Sequence, residues 1–165
     1  MLRQYTQSVK CYNRTMEKAE EYIRREVHRL YWEHDENCAR TTLRILSGLT
    51  GIAIEEQTLA AASGLHGAGG YGAQCGLVEG ALMFLGIVAI LEGYDDIPGL
   101  CRKFASGFES SFGSLRCSEL RPGGFSPSDP PHRCEELTCR SILYAYCFLK
   151  ESFPSKSVAE CRHWM

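Results

Sequence analysis

Apolar side chains recur every three or four residues along most of the 165-residue chain. This spacing is typical of amphipathic helices, which bury one face and expose the other. No segment alternates apolar and polar residues over a long stretch, as a half-buried strand would. The pattern therefore predicts an all-α fold. The first predicted helix covers about residues 13–33, with Met16, Ala19, Ile23, Val27 and Leu30 on its apolar face.

Further helical segments follow along the chain. Asn37 is a good N-cap for a second helix that ends near Gly48 and Gly51. The last long helix is predicted to begin with Asp129 as N-cap and Pro130 at its first position. The segments between them predict an alanine-rich helix at about 54–63, a very apolar helix at about 73–92 and an aromatic helix at about 98–112.

These segments predict a single-domain, irregular helical bundle with a central apolar helix. We interpret residues 1–35 as an N-terminal amphipathic helix, 36–152 as a cysteine-containing helical redox domain and 153–165 as a mobile tail. The Pro- and Gly-rich run RPGGFSPSDPPH excludes regular structure just before the last helix. We expect one domain overall, since no linker divides the chain.

Composition and charge narrow the class of protein. The chain is 44% hydrophobic and 23% charged, as globular proteins are, and its net charge of −2 gives no reason to expect nucleic acid as a partner. The N-terminal segment lacks the apolar core of a secretion signal. The longest apolar run, Ala81–Leu91, is shorter than the roughly 20 residues that a membrane span needs. We expect a cytoplasmic protein that binds neither nucleic acid nor membrane.

The chain contains nine cysteines, and in a reducing compartment such a number points to metal binding or thiol chemistry. Cys38, Cys75 and Cys134 fall at or near predicted helix starts, and Cys117 precedes a short helical turn. Helix N-termini carry a partial positive charge, which favours the thiolate that acts as nucleophile and metal ligand. We therefore expect these four thiols to converge on one site.

The other cysteines are expected to have no role in that site. Cys101 lies beside Leu100 on an aromatic helix, so we expect it in the core. Cys139 and Cys147 are predicted to project off the apolar face of the last helix, and Cys11 and Cys161 lie near the termini. No pair has the C-x-x-C spacing of zinc ribbons or thioredoxin-like sites.

Three segments and a fourth cysteine occur in a characteristic order: Asn37-Cys38-Ala39, GLHGAGGYGAQCGLVEGALMFLG, FGSLRCSEL, and Cys134 before an apolar helix. This order resembles the C_GCAxxG_C_C family of redox-active proteins, and also the cluster-binding part of split-Soret cytochrome c, over about residues 36–148. The resemblance implies that Cys38, Cys75, Cys117 and Cys134 hold an iron–sulfur cluster of the two-iron type, for electron transfer or redox sensing with an unidentified redox partner protein. Cys139 is close enough in sequence to take the place of Cys134.

The glycine-rich loop GLHGAGGYG formally matches the dinucleotide-binding fingerprint at Gly67, Gly69 and Gly72. That fingerprint requires a preceding strand, whereas the preceding segment is helical in pattern. We instead expect these glycines and Gly70 to let the backbone approach a cluster and donate hydrogen bonds to its sulfurs. His66 in the same loop is a further candidate ligand, ahead of His34 and His132.

Two other functions remain open from the sequence. The same cysteines fit a metal-free thiol–disulfide protein, in which two of them cycle between thiol and disulfide. They also fit a zinc-binding or dimeric interaction module. The small residues Gly76, Gly80, Ala81 and Gly86 would allow two copies of the apolar helix to approach in a homodimer. Glu79 is either a proton acceptor beside the redox site or a partly exposed residue.

Overall fold

The computed structural model describes the backbone of residues 2–121 and 128–154, with side chains from residue 15 onward in those ranges. It is 73% helical and contains no strand in the described ranges, which confirms the all-α prediction. No helix there combines the length and the apolar character needed to cross a bilayer. The predicted tail from 155 onward, part of the Pro- and Gly-rich loop, the Cys11 side chain and Cys161 lie outside the described residues.

The helices follow one another with short connections. They are α1 (Leu2–Trp32), α2 (Cys38–Thr50), α3 (Glu56–Ala61) with a 3₁₀ turn (Ala62–Gly64), α4 (Gly67–Gly70), α5 (Gly76–Leu91), α6 (Ile97–Phe112), α7 (Cys117–Leu120) and α8 (Glu135–Ser152). Helix α5 contacts α2, α6 and α8, so it is the central apolar helix that the sequence predicts. Helix α1 packs across α8 and α2, and begins earlier than its apolar stripe suggests.

Asn37 caps α2 as predicted. Its side chain accepts a hydrogen bond from the Arg40 backbone N–H at 3.0 Å. Its amide also donates to the carbonyl oxygens of Ala62 (3.2 Å) and Ser63 (2.8 Å). The cap therefore ties the start of α2 to the segment that leads into the glycine-rich loop. Gly51 ends the helix in the left-handed conformation, with φ of +74°.

The predicted start of the last helix is wrong. Helix α8 begins at Glu135 with Cys134 as its N-cap, not at Asp129 and Pro130. A residue that precedes proline disfavours helical backbone, and Pro130 is followed by Pro131. His132 then takes a left-handed φ of +57°, which also interrupts a right-handed helix.

The small residues of α5 serve contacts within the chain. A Cβ atom on Gly80 would lie 2.6 Å from the Ala39 carbonyl oxygen, and one on Gly76 would lie 2.2 Å from the Leu65 carbonyl oxygen. These two glycines therefore allow α5 to pack closely on α2 and on the preceding loop within one chain, instead of on a second copy. A Cβ on Gly86 would meet nothing within 4 Å. The homodimer itself stays a prediction.

Candidate functional site

The four predicted site cysteines lie at the starts of four helices. Cys38 is the first residue of α2, and Cys117 is the first residue of α7. Cys75 is the N-cap of α5, and Cys134 is the N-cap of α8. Each helix therefore directs its N-terminal backbone N–H groups toward the region that holds a cysteine.

Two segments of backbone hold Cys75 and Cys117 side by side. The Cys75 N–H donates to the Leu115 carbonyl at 2.8 Å, and the Cys117 N–H donates to the Ala73 carbonyl at 2.7 Å. Together these bonds form a short antiparallel bridge between Gln74 and Arg116. The bridge fixes the start of α5 against the start of α7, although Cys117 comes 42 positions after Cys75 in the sequence.

Cys117 lies at the centre of the group of thiols. The side chains of Cys75 and Cys117 share a hydrogen bond. Burial raises the pKa of the Cys38 thiol to about 12, and the neighbouring Cys117 and Cys134 add to that rise. Burial also raises the pKa of the Cys134 thiol, again with a contribution from Cys117. The other three site thiols are thus within electrostatic reach of Cys117.

The hydrogen bond between Cys75 and Cys117 determines which of the two is ionised. It raises the pKa of Cys75, which burial raises further, and it lowers the pKa of Cys117 to about 7. The Arg121 guanidinium also favours the Cys117 thiolate. The pKa of Cys117 is therefore lowered by the Cys75 hydrogen bond and by Arg121, not by the helix start that the sequence suggests. The pKa of Cys75 is raised by the same hydrogen bond and by burial, and burial is the main cause of the raised pKa at the other two positions.

The glycine-rich loop lies directly against these thiols. Gly67, Ala68, Gly69 and Gly70 all have left-handed backbone, with φ between 54° and 88°. A Cβ atom on Gly67 would lie 3.1 Å from the Cys117 sulfur, and one on Gly76 would lie 2.5 Å from the Cys38 sulfur. Successive N–H groups in such turns form concavities that bind anions, including the sulfur atoms of clusters. Only residues without a side chain leave room for the sulfurs here.

A cavity of about 660 Å³ opens beside the thiols. It reaches Cys38, Cys117 and Cys134, whereas Cys75 is 3% exposed and lies deeper. The three candidate histidines, His34, His66 and His132, also line it. His66 has a buried Nδ1 atom without a hydrogen-bond partner in the described part of the chain.

Arginines surround the same cavity in two groups. The Glu36 carboxylate is shared by Arg40 (3.0 Å) and Arg44 (2.9 Å). The Asp129 carboxylate is shared by Arg121 and Arg133. Of these four arginines, Arg40, Arg121 and Arg133 line the cavity, together with both carboxylates.

The remaining described cysteines lie apart from the four. Cys139 is 6% exposed, so the prediction that it projects off the apolar face of α8 is wrong. Its charged neighbours are Arg24, Glu136 and Glu135, not the site thiols, so it does not take the place of Cys134. Cys101 is half-buried, not in the core as expected, and Cys147 is half-buried as well. Their surroundings therefore offer no second group of thiols.

Glu79 is partly exposed, as one of its two interpretations expects. The side chain is half-buried, and its Oε2 atom is buried without a hydrogen-bond partner in the described residues. Burial raises the pKa of this carboxyl, and the neighbouring His66 lowers it. Nowhere in the described ranges do three or more His, Cys, Asp or Glu side chains form a group that could hold a metal ion.

Sequence reasoning missed Tyr31. Its ring is 4% exposed, and its hydroxyl is 2.7 Å from the Thr138 hydroxyl on α8. Burial raises the pKa of Tyr31, and Cys38, Cys134 and Cys75 add to that rise, which places the ring beside the thiols. The signal was present, because Tyr31 continues the four-residue spacing of Ile23 and Val27.

Comparison with known proteins agrees with this geometry. A family model described as "Putative redox-active protein (C_GCAxxG_C_C)" matches residues 36–146. No curated protein and no solved structure matches the chain. The matched range contains all four cysteines at the helix starts, together with the glycine-rich loop. Because the match covers well over half of the 165 residues, the chain belongs to the C_GCAxxG_C_C family of redox-active proteins.

Proposed function

We propose that the protein holds an iron–sulfur cluster of the two-iron type through Cys38, Cys75, Cys117 and Cys134, and uses it for electron transfer or redox sensing. One observation carries this proposal: four cysteines from distant parts of the chain lie at the starts of four helices, and Cys38, Cys75 and Cys134 each interact electrostatically with Cys117. Four cysteine thiolates are the usual ligands of such clusters. When bound, the cluster would supply one-electron chemistry.

The surroundings fit this ligand set. Gly67 and Gly76 leave space at the sulfurs of Cys117 and Cys38 that a Cβ atom would fill. Backbone N–H groups in such left-handed runs can hydrogen-bond cluster sulfurs. Among the expected donors, the Gly70 and Gly72 N–H groups already donate to the carbonyls of His66 (3.0 Å) and Gly67 (2.9 Å). Burial of the thiols and such hydrogen bonds are the means by which a polypeptide adjusts a cluster's reduction potential.

The charges also support the proposal. An oxidised two-iron cluster with four cysteinates carries about two negative charges, and a buried negative charge needs compensation. Three guanidinium groups, those of Arg40, Arg121 and Arg133, lie on the cavity wall against the two carboxylates that they pair with, Glu36 and Asp129. Asp35, a further carboxylate on that wall, is 97% exposed and thus screened by water.

The test compares single Cys→Ser variants purified without oxygen. Changing Cys38, Cys75, Cys117 or Cys134 is expected to abolish or greatly reduce visible absorption and bound iron. Cys101→Ser and Cys147→Ser are matched controls, since both cysteines are half-buried and lie within helices, away from the four helix starts of the site. The proposal is wrong if the four site variants retain as much iron as these controls.

A second function is favoured by the hydrogen-bonded pair. The Cys117 thiolate, with its pKa lowered to about 7, lies against the Cys75 thiol and lines an open cavity. In a metal-free thiol–disulfide protein, Cys117 would attack a disulfide substrate and release one thiolate. Cys75 would then displace the second thiolate and close a Cys75–Cys117 disulfide.

Mass spectrometry separates the two functions. A thiol–disulfide protein forms the Cys75–Cys117 link when mildly oxidised without metal, and glutathione disulfide is a suitable oxidant. The metal-free function fails if no link forms at these two positions. Metal analysis of the same preparation distinguishes iron from zinc, which remains an alternative occupant of the four thiols.

A further inference from the structure

The end of helix α1 holds the beginning of helix α8. The indole N–H of Trp32 donates to the Glu135 carboxylate at 2.9 Å, and His28 contacts the same carboxylate at 2.9 Å. Tyr31 reaches Thr138, one turn further along α8, at 2.7 Å. Helix α1 ends before residue 36, where the family match begins, so these contacts join a helix outside the matched range to the part of α8 inside it.

The same two aromatic residues enclose His132. The imidazole stacks on the Tyr31 ring with centroids 5.1 Å apart, and it meets the Trp32 ring edge-on at 4.8 Å. His132 is one of the few residues other than glycine with a left-handed backbone, at φ of +57°. Such a conformation costs free energy and persists only where the surroundings impose it. Here the two rings of α1 provide those surroundings.

His132 is connected directly to the cysteine. It lies two residues before Cys134, and its carbonyl accepts a hydrogen bond from the Glu135 N–H at 2.9 Å. The Cys134 carbonyl in turn accepts from the Thr138 N–H at 2.7 Å, which opens the first turn of α8. The orientation of His132 therefore sets the direction in which the chain enters Cys134.

We propose that Tyr31, Trp32 and His132 form an aromatic clamp that positions the Cys134 thiol toward the other three cysteines. In this clamp α1 acts as part of the site even though it carries none of the four thiols. The clamp rests on the proposed function only in treating Cys134 as a ligand. A consequence is that iron bound at the site is retained less firmly when the clamp is broken.

The clamp is tested first in reduced, metal-free protein by the rate at which iodoacetamide alkylates each cysteine. Trp32→Leu removes the ring and the N–H, and is expected to speed alkylation of Cys134 by about threefold to tenfold. His132→Asn should do the same, although asparagine tolerates a positive φ, because it removes the ring. Cys38 and Cys117 should keep their rates in both variants.

Two further variants separate positioning from loss of general stability. Trp32→Phe retains a ring against His132 and should keep the Cys134 rate close to that of the unchanged protein. Tyr94→Leu removes a comparable aromatic contact, with Phe153 at 5.7 Å, between the α5–α6 connection and the segment after α8. It should leave the Cys134 rate unchanged. The clamp is refuted if Trp32→Leu and His132→Asn leave Cys134 unaffected, or if all described cysteines accelerate together.

Iron release distinguishes this inference from the proposed function. In protein loaded without oxygen, transfer of iron to a chelator such as bathophenanthroline should be faster for Trp32→Leu than for Tyr94→Leu. Equal release rates, together with unchanged Cys134 alkylation, would overturn the clamp and leave the cluster proposal intact. If the unchanged protein binds no iron, the cluster proposal fails, and the alkylation rates alone decide whether the clamp exists.

Discussion

Replacing Gly67 by alanine would test how the glycine-rich loop holds Cys117. Gly67 has a φ of +67°, and its Cβ would lie 3.0 Å from the Cys117 Cβ and 3.1 Å from the Cys117 sulfur. Gly69 offers a matched control, since its φ is +66° but its Cβ would meet nothing within 4 Å. Gly69→Ala therefore introduces the backbone strain alone, and Gly67→Ala introduces the same strain together with a displaced Cys117.

The magnitudes follow from these two differences. Alanine in the left-handed region costs about 1–2 kcal/mol at either position. Displacing the Cys117 side chain should cost Gly67→Ala about 1–3 kcal/mol more. If the Cys75 hydrogen bond is lost, the pKa of Cys117 rises from about 7 toward its ordinary 9.0. The thiolate fraction of Cys117 at pH 7 then falls about fiftyfold. Because a thiolate of higher pKa is more nucleophilic, the alkylation rate falls by only about fivefold.

Two measurements on reduced, metal-free protein check this reasoning. Urea unfolding gives the free energy of unfolding of each variant, and alkylation at pH 7 followed by mass spectrometry gives the rate at Cys117. The expected result is slower alkylation for Gly67→Ala and an unchanged rate for Gly69→Ala. Equal losses of stability with identical Cys117 rates would show that the loop does not position this thiol.

Three other predictions concern helix packing, helix capping and thiol ionisation around the site. Gly76→Ala should lower the free energy of unfolding by about 1–3 kcal/mol, since its Cβ would lie 2.2 Å from a backbone oxygen. Gly86→Ala in the same helix should raise it by about 0.5–1 kcal/mol in urea unfolding; equal effects would contradict the packing described. Asn37→Ala should cost about 1 kcal/mol in the same assay, because the α2 cap is lost, and an unchanged midpoint would exclude that role. In metal-free protein, stability should fall as pH rises from 9.0 to about 12, because Cys38 ionises only near pH 12 when folded but near 9.0 when unfolded. Cys38→Ala should flatten that fall in a pH series of unfolding midpoints, and an unaltered slope would contradict it.

The helical pattern predicts most of the fold, because burial follows directly from the spacing of apolar residues. The second helix and its Asn37 cap agree with the sequence because capping depends on a few neighbouring residues. The start of α8 could not be predicted in the same way. Asp129 resembles an N-cap locally, but its carboxylate pairs with Arg133 and with Arg121, which lies eight residues earlier across the Pro- and Gly-rich loop.

The cysteine site is only partly readable from the sequence. Helix starts and the family resemblance single out four cysteines, and in the structure Cys38, Cys75 and Cys134 each interact electrostatically with Cys117. Their ionisation could not be predicted, because it depends on burial and on the Cys75–Cys117 hydrogen bond. The apolar spacing predicts that Tyr31 is buried, but its contact with Thr138 depends on how α1 crosses α8.

The most direct test of the proposed cluster is the iron and acid-labile sulfide content of protein purified without exposure to oxygen. The convergence of four thiols predicts about two irons and two sulfides per chain, with visible absorption that disappears in the Cys117→Ser variant. Protein that is colourless and free of iron and sulfide under these conditions, or that keeps its iron in that variant, would contradict the account.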